Sequence, residues 1–387
     1  MKILIVVGTR PNFVKIAPIM DVIDNYNMDK DGRQQAIDYL VVHTGQHYDN
    51  KMSNSFFDDL GLPEPDIYLG VGSGTHAEQT GKVMIKFEKV CFREKPNLVI
   101  VVGDVNSTIA CALVAVKLNI PIAHIEAGLR SFDRTMPEEI NRILTDQISD
   151  YLFTTCEDAN MNLRKEGIPE SKIFFIGNVM IDTLLSQIEI IKNSNILKKL
   201  GLKKNNNVKK YAVLTLHRPS NVDNLVVLKR ILNILNNISQ IIPIIFPVHP
   251  RTIKQIKNFK LEEMVSYVEH ISSNELDRAN QNILAIQPLG YLDFLCLMSN
   301  AALVLTDSGG IQEETTMLGI PCLTLRNNTE RPITVKEGTN IVVGNNFDKM
   351  IEVTLSVLKN GIPRKKIPRY WDGKASERIL KILKRLL

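Results

Sequence analysis

Short unbroken runs of Val, Ile and Leu alternate with helix-length segments from one end of the sequence to the other. A strand that is apolar on both faces has to be covered on both faces, and a largely parallel sheet flanked by helices does that. The runs Lys2–Val7, Tyr39–His43, Leu98–Val102, Ile120–Ile125, Tyr151–Thr154 and Ile173–Ile176 therefore read as strands of one doubly wound sheet. Helices are expected between them near Phe13–Asn25, Asn50–Leu60, Thr75–Glu94, Ser107–Leu118, Pro137–Ser149 and Asp158–Glu166. The polar run KKLGLKKNNNVKK then reads as a surface loop leading into a second domain.

Beyond that loop the alternation restarts. Strands are expected at Tyr211–Leu216, Ile244–Val248, Ile283–Ile286, Leu303–Thr306, Cys322–Leu325 and Ile341–Val343. Helices fall near Asp223–Ser239, Thr252–Asn258, Tyr291–Met298, Gly310–Leu318 and Phe347–Lys359, with a last one from about Lys374 to Leu387. At 387 residues two cores are the natural division. The expected fold class is α/β, two Rossmann-like doubly wound domains facing a cleft. Residues 1–182 form the first domain, 183–365 the second, and 366–387 a terminal helix.

Composition excludes several classes. Hydrophobic content of 44% and charged content of 23% describe a globular protein. The apolar runs are strand-sized, far short of a membrane span, and MKILIVVGTRP reads as a first strand rather than a leader; a cytoplasmic location is expected. Five scattered cysteines suit reduced core thiols without metal-ligand spacing. The net charge of +5 hides an asymmetry: Arg364–Leu387 carries +7, which leaves −2 on the remainder. A basic tail with no aromatic-studded module does not predict nucleic-acid binding.

In parallel α/β sheets ligands bind at the carboxyl ends of strands. Leu98–Val102 ends in Gly103-Asp104, and Ile120–Ile125 ends in Glu126-Ala127-Gly128, before a loop that delivers Glu138 and Glu139 behind Pro137. These carboxylates form the first candidate cluster, with helix or turn capping as the plain alternative. GTRPNFVK lacks the glycine spacing of a dinucleotide fingerprint, so no nicotinamide or flavin is expected. Arg10 and Lys15 in that loop instead set two cations at a helix N-terminus, suited to a phosphate.

In the second half, LTDSGGIQEE joins a strand end to a helix start through Ser308, Gly309 and Gly310, an anion-site pattern, with Glu314 one turn on for ribose hydroxyls. TLHRPSN and PVHPR bring His217 and His249, each followed by an arginine, to neighbouring strand ends, where they suit a pyrophosphate. HTGQH sets His43 and His47 four apart, but Gly45 makes it a turn, so no metal is expected. Carboxylates from one domain and phosphate groups from the other describe acid/base chemistry on a nucleotide sugar.

These motifs, GTRPNFVK, TGQH, GDVNST, HIEAGLRS, MPEEINR, GNVMID, TLHRPSN, PVHPR, TDSGGIQEE and LRNNTERP, resemble in order those of the non-hydrolysing UDP-N-acetylglucosamine 2-epimerases. The resemblance spans Lys2 to about Gly344. It implies the glycosyltransferase-B fold with the active site between two domains, a homodimer, no cofactor, and a terminal helix that crosses back near Trp371. It also implies interconversion of UDP-N-acetylglucosamine and UDP-N-acetylmannosamine for surface polysaccharide or glycan precursors. UDP is eliminated across C1–C2 to a 2-acetamidoglucal and then added back, with protonation of C2 from the other face.

By the same resemblance Asp104, Glu126 and Glu138 are the catalytic carboxylates and His217 stands beside the diphosphate. Arg10 and Lys15 are phosphate-side cations; Ser308, Gly309, Gly310, Glu314 and Arg326 bind UDP. Gln46 and His47 match a second-substrate site, yet DIYLGVGSGTH lacks the arginine that completes it, which puts activation by substrate in doubt. The competing readings are a glycosyltransferase of the same fold, a hydrolysing epimerase, and a non-catalytic nucleotide-sugar sensor.

Overall fold

The computed structural model describes residues 1–29, 35–46, 61–205, 207–269, 271, 283–344, 346–362 and 366–386. His47 and the helix expected at Asn50–Leu60 lie outside the described residues. The chain divides into two compact units, Met1–Ser186 with Arg369–Leu387, and Gln187–Pro368.

The first unit carries a seven-stranded, wholly parallel sheet: β1 (Lys2–Val7), β2 (Asp38–His43), β3 (Ile67–Tyr68), β4 (Leu98–Val102), β5 (Ile122–Ala127), β6 (Tyr151–Thr154) and β7 (Ile173–Phe175). Their order is β3-β2-β1-β4-β5-β6-β7. The apolar runs are central strands: all of Leu98–Val102 and Ile122–Ala127 is buried. Helices Arg10–Asp29, His76–Glu94, Asn106–Lys117, Pro137–Ile148 and Glu157–Lys165 connect them. His76–Glu94 starts where a capping box dictates: Thr75 accepts from Glu78 N, and Glu78 accepts from Thr75 N.

The C-terminal segment belongs to this first unit. The Trp371 indole N–H donates to Thr155 O at 3.0 Å, and the Asp182 carboxylate accepts from Ser376 N and Oγ, both at 2.7 Å, at the start of helix Ala375–Leu383.

In the second unit two short helical segments, Ile190–Asn193 and Ile196–Lys199, precede an antiparallel pair, β8 (Lys203–Lys204) and β9 (Asn207–Val208), inside the polar run expected to be plain loop. Its main sheet has β10 (Ala212–Thr215), β11 (Ile244–Pro247), β12 (Ser266–Val268), β13 (Ile283–Ile286), β14 (Leu303–Thr306), β15 (Cys322–Thr324) and β16 (Asn340–Val342). All are parallel, in the order β12-β13-β11-β10-β14-β15-β16. The strands β3 and β12 were not expected: they are two and three residues long, with partly exposed side chains, so no apolar run marks them.

Strand order fixes where ligands can sit. In each sheet the chain starts in the middle, winds outward one way and then returns to wind the other way. The direction reverses between β1 and β4 in one unit and between β10 and β14 in the other. There the helices leave on opposite faces, and a crevice opens beyond the carboxyl ends. GTRPNFVK and GDVNST flank the first reversal; TLHRPSN and TDSGGIQEE flank the second. Among the described residues no helix is long and apolar enough to cross a membrane.

Candidate active site

At the first reversal, β4 pairs Val102 with Ile125 of β5, so Gly103 comes level with Glu126. Gly103 has φ +70°, a left-handed conformation that favours glycine, and a Cβ there would stand 3.5 Å from Glu126 Oε2 and 3.4 Å from Lys15 Nζ. Asp104 follows directly. The backbones that carry these two carboxylates are thus neighbours at the ends of adjacent strands.

Glu126 itself departs from expectation. It was read as the residue after the strand, but β5 runs through it to Ala127, with a register shift against β6 between Ile125 and Ala127. Glu126 is the bulged residue, at φ +69°. Holding a non-glycine residue left-handed costs roughly 1–2 kcal/mol, and such strain gathers at functional sites. The bulge turns the carboxylate onto Lys15, with which it forms a buried ion pair.

That pair changes the reading of the first loop. Lys15 was expected to meet a phosphate; its ammonium is enclosed against Glu126. The loop amides are engaged too. Asn12 Oδ1 accepts from Gly8 N at 3.1 Å and Thr9 N at 3.0 Å, while Asn12 Nδ2 donates to Val102 O. Those two N–H groups are therefore not an open anion cradle, and Arg10, half-buried at the helix start, is the loop's remaining candidate cation.

The two glutamates of MPEEINR have different surroundings. Glu139 is buried and ties down the preceding loop, accepting from Ser131 N at 3.0 Å, Ser131 Oγ at 3.1 Å and Phe132 N at 2.8 Å. Glu138, one position earlier in the first turn, is half-buried. Arg142, three residues on from Glu139, forms an ion pair with it and reaches Asp104 Oδ2 through Nε at 2.9 Å and Nη2 at 2.8 Å. Arg142 was not singled out in the sequence, although its i,i+3 spacing from Glu139 was a readable signal.

At the second reversal, β10 and β14 run in register from Ala212↔Leu303 to Thr215↔Thr306, which brings Asp307 level with the turn at His217. The buried Asp307 carboxylate accepts from His217 N at 3.1 and 3.0 Å, Arg218 N at 2.8 Å and Asn221 Nδ2 at 3.2 Å, and lies 2.9 Å from His217 Nδ1. Burial alone would push this carboxyl up; His217 and the donated hydrogen bonds outweigh it and hold it below the usual carboxylate range. The His217 ring faces that of His249 at 5.8 Å, and His249 Nδ1 accepts from Arg251 N as a helix cap.

The TDSGG turn differs from expectation in detail. Ser308 occupies the cap position of helix Gly309–Leu318, but its side chain makes no capping hydrogen bond. First-turn amides have no partner within a helix, so this end keeps its anion-binding capacity. Gly309 was read as making room for a phosphate. A Cβ there would run into Arg331 Nη1 and Glu330 Oε1, so this glycine makes room for a buried ion pair. Glu330 in turn receives Arg326 Nη2 at 2.8 Å. Gly310 is the next residue of the same first turn.

Glu314 is buried, and Tyr291 Oη donates to it at 3.0 Å. Burial pushes its carboxyl up to about 7; neighbouring Glu313 adds to this and the tyrosine hydrogen bond opposes it. A cavity of about 160 Å³ lies at the carboxyl ends of β10, β11 and β13, where Pro247, Leu289 and Phe294 are apolar walls beside His217 and His249.

Gln46 turns inward: its Oε1 accepts from Ser107 N at 3.1 Å and Ser107 Oγ at 2.8 Å. Among the described residues no three His, Cys, Asp or Glu side chains converge as a metal would need.

Two doubly wound parallel-sheet units, each with polar side chains gathered at the switch point of its sheet, define an α/β protein of the glycosyltransferase-B class. Comparison with known proteins narrows the class. A family profile described as UDP-N-acetylglucosamine 2-epimerase matches residues 30–384. A Methanocaldococcus jannaschii protein named UDP-N-acetylglucosamine 2-epimerase is 46% identical, with 99% of each chain covered. A crystal structure from that organism, described as the epimerase in complex with UDP-GlcNAc and UDP, superposes with a TM-score of 0.87 at 45% identity over 100% of both chains. A Pseudomonas aeruginosa protein named UDP-2,3-diacetamido-2,3-dideoxy-D-glucuronate 2-epimerase is 40% identical over 100% of both. The chain belongs to the UDP-N-acetylglucosamine 2-epimerase family.

Proposed function

We propose that the chain interconverts UDP-N-acetylglucosamine and UDP-N-acetylmannosamine by elimination and re-addition of UDP. In the forward direction a carboxylate takes the C2 proton, the C1–oxygen bond breaks, and UDP departs from a 2-acetamidoglucal. A UDP oxygen then adds back to C1 as a second acid delivers a proton to the opposite face of C2. Inverting C2 in this way calls for acid/base groups on both faces of the ring. We assign that work to Asp104, Glu126 and Glu138.

The observation that supports this reading is that Asp104 and Glu126 leave adjacent strand ends about the Gly103 turn, one paired with Arg142 and the other with Lys15. A glycosyltransferase or a sensor needs nucleotide groups but not this set. Lys15 serves in our reading as the partner that orients Glu126, and Arg10 as the phosphate-side cation. His217, fixed through Nδ1 by Asp307, faces the diphosphate with His249 beside it. Ser308, Gly309 and Gly310 receive a phosphate at the helix end, Glu314 accepts from the ribose, Arg326 lies on the nucleotide side, and the cavity walled by Pro247, Leu289 and Phe294 takes the base. Gln46 holds Ser107 and the loop after β2 rather than a second substrate. A role in surface-polysaccharide or glycan precursor synthesis, a cytoplasmic location and a homodimer are parts of the same proposal; light scattering tests the last.

The deciding experiment incubates the protein with UDP-N-acetylglucosamine in heavy water and follows the sugar by proton NMR. UDP-N-acetylmannosamine deuterated at C2, formed without added metal or nicotinamide, is the expected product. Free N-acetylmannosamine with UDP would mean hydrolysis instead, and bound but unchanged substrate would mean a transferase or sensor. The 2,3-diacetamido uronate on which the Pseudomonas relative's name is based is run in parallel, and faster turnover of that sugar would reassign the substrate.

A further inference from the structure

One buried group of charges beneath the carboxylates has no part in the chemistry above. His124 lies on β5, two residues before Glu126, with no exposure to solvent. Its Nδ1 is 2.7 Å from Asp146 Oδ1 and its Nε2 is 2.8 Å from the Gly103 carbonyl oxygen. A carboxylate and a carbonyl both accept, so the ring satisfies both only when each nitrogen carries a hydrogen.

Asp146, equally enclosed, accepts from Gly128 N at 3.0 Å and pairs with Arg130 Nη2 at 2.7 Å. Arg130 then forks onto Glu166 at 2.8 and 2.6 Å. With the imidazole doubly protonated, two cations balance two carboxylates. Burial would push the Asp146 carboxyl up; the charges of His124 and Arg130, with their hydrogen bonds, outweigh it and hold it below the usual carboxylate range.

A pair placed only for packing would need no such polarity, since apolar side chains of similar volume fill a core as well or better. The contacts of this pair fall on two particular backbone groups. The Gly103 carbonyl belongs to the peptide that joins Gly103 to Asp104, so the plane His124 holds sets the direction in which Asp104 leaves the turn. The Gly128 amide closes the far side of the bulge at Glu126. Asp146 sits on the helix whose first turn carries Glu138.

We infer that His124 and Asp146 are a positioning pair for the reaction: His124 pins the Gly103–Asp104 peptide, Asp146 pins the segment after Glu126, and together they hold the two carboxylates at fixed places. Neither side chain touches the reacting atoms. The inference rests on the assignment of Asp104 and Glu126 as reacting groups.

The test is a double-mutant cycle of His124→Gln with Asp104→Asn. Glutamine offers its amide hydrogens from one nitrogen only and cannot serve Asp146 and the Gly103 carbonyl at once. A displaced catalytic group costs up to about a hundredfold in rate. His124→Gln is expected to lower kcat by about 10- to 100-fold, with KM and the Kd for UDP within about 3-fold of wild type. In the Asp104→Asn background the same change is expected to cost less than about 3-fold more, because a residue that acts through Asp104 has nothing left to place.

Equal losses in the two backgrounds, an unchanged kcat, or a loss that follows UDP affinity and melting temperature would overturn the inference. Asp146→Asn, which keeps the side-chain shape, is carried through the corresponding cycle with Glu126→Gln in case His124→Gln does not fold. If Asp104→Asn alone leaves turnover intact, the assignment of the carboxylates fails first, and the two failures are told apart.

Discussion

Glu314 offers a test in which nucleotide binding and folding report on one proton. Its carboxyl is pushed from 4.5 up to about 7, first by burial and then by Glu313. A raised carboxyl binds its proton more tightly in the folded state. Its contribution to stability is therefore fully present below the unfolded value of 4.5 and is lost as pH rises through 7. A shift of that size corresponds to about 3 kcal/mol. The wild type minus Glu314→Gln difference in unfolding free energy should fall by about that amount between pH 4.5 and 7.5, since glutamine has no proton to lose.

Binding should run the other way. Ribose hydroxyls donating to the carboxylate favour its charged form, so binding below pH 7 should release a proton, and affinity should weaken about tenfold for each pH unit below the titration. The measurement is calorimetry with a UDP-sugar, whose phosphodiester oxygens do not titrate in this range, in two buffers of different ionisation enthalpy. An Asp104→Asn background slows turnover during the titration. A buffer-dependent heat that disappears in Glu314→Gln is the expected result. The same heat in both buffers for the unsubstituted Glu314 would refute the reasoning, either because Glu314 stays charged in the free protein or because the ribose does not contact it.

Asp104→Asn and Glu138→Gln should each lower turnover about a hundredfold or more without loss of UDP binding, the usual weight of a general acid or base, whereas Glu139→Gln should act mainly on the melting temperature. Gly103→Ala forces a left-handed alanine and sets a methyl against Glu126 and Lys15; we expect a loss of about 1–2 kcal/mol in stability and a larger proportional loss in kcat, read by denaturant unfolding and steady-state kinetics. Asp307→Asn replaces one acceptor oxygen by an amide among four donors; it should cost about 3 kcal/mol and weaken UDP binding through His217, and an unchanged Kd would remove His217 from the diphosphate site.

The frame of the fold was legible because burial on both faces leaves a strand no freedom of composition. Leu98–Val102, Ile283–Ile286 and Leu303–Thr306 have the same bounds in sequence and structure. The edge strands β3 and β12 and the Lys/Asn antiparallel pair left no such mark, since an edge strand needs only backbone partners. Asp104 was placed for a related reason: an acid just past an apolar run sits where a strand leaves its sheet.

Partnership was harder to read than position. Lys15 and Glu126 are 111 residues apart, and only the winding of β1, β4 and β5 into adjacent places joins them. Lys15 was therefore read as a free cation beside an anion site, while the structure uses its charge within the protein. The clue to the His124–Asp146 pair was a histidine inside a wholly buried strand, two residues before Glu126. A polar side chain there must have a buried partner, but the sequence does not say which of the chain's acids supplies it.

The same limit applies to Glu126. The acid and the bulge interrupt the apolar run, so the sequence reading ended the strand at Ile125, two residues early. What the bulge does is chemical. It takes a residue whose side chain would lie against a helix-covered face and turns it onto Lys15 at the strand end, beside the residue that precedes Asp104. A regular β5 would leave Lys15 and Glu126 without each other inside the protein, at a cost above the roughly 1–2 kcal/mol of the left-handed turn. The strained backbone at Glu126 and the buried charge at Lys15 therefore stabilise one arrangement between them, and neither is sustained without the other.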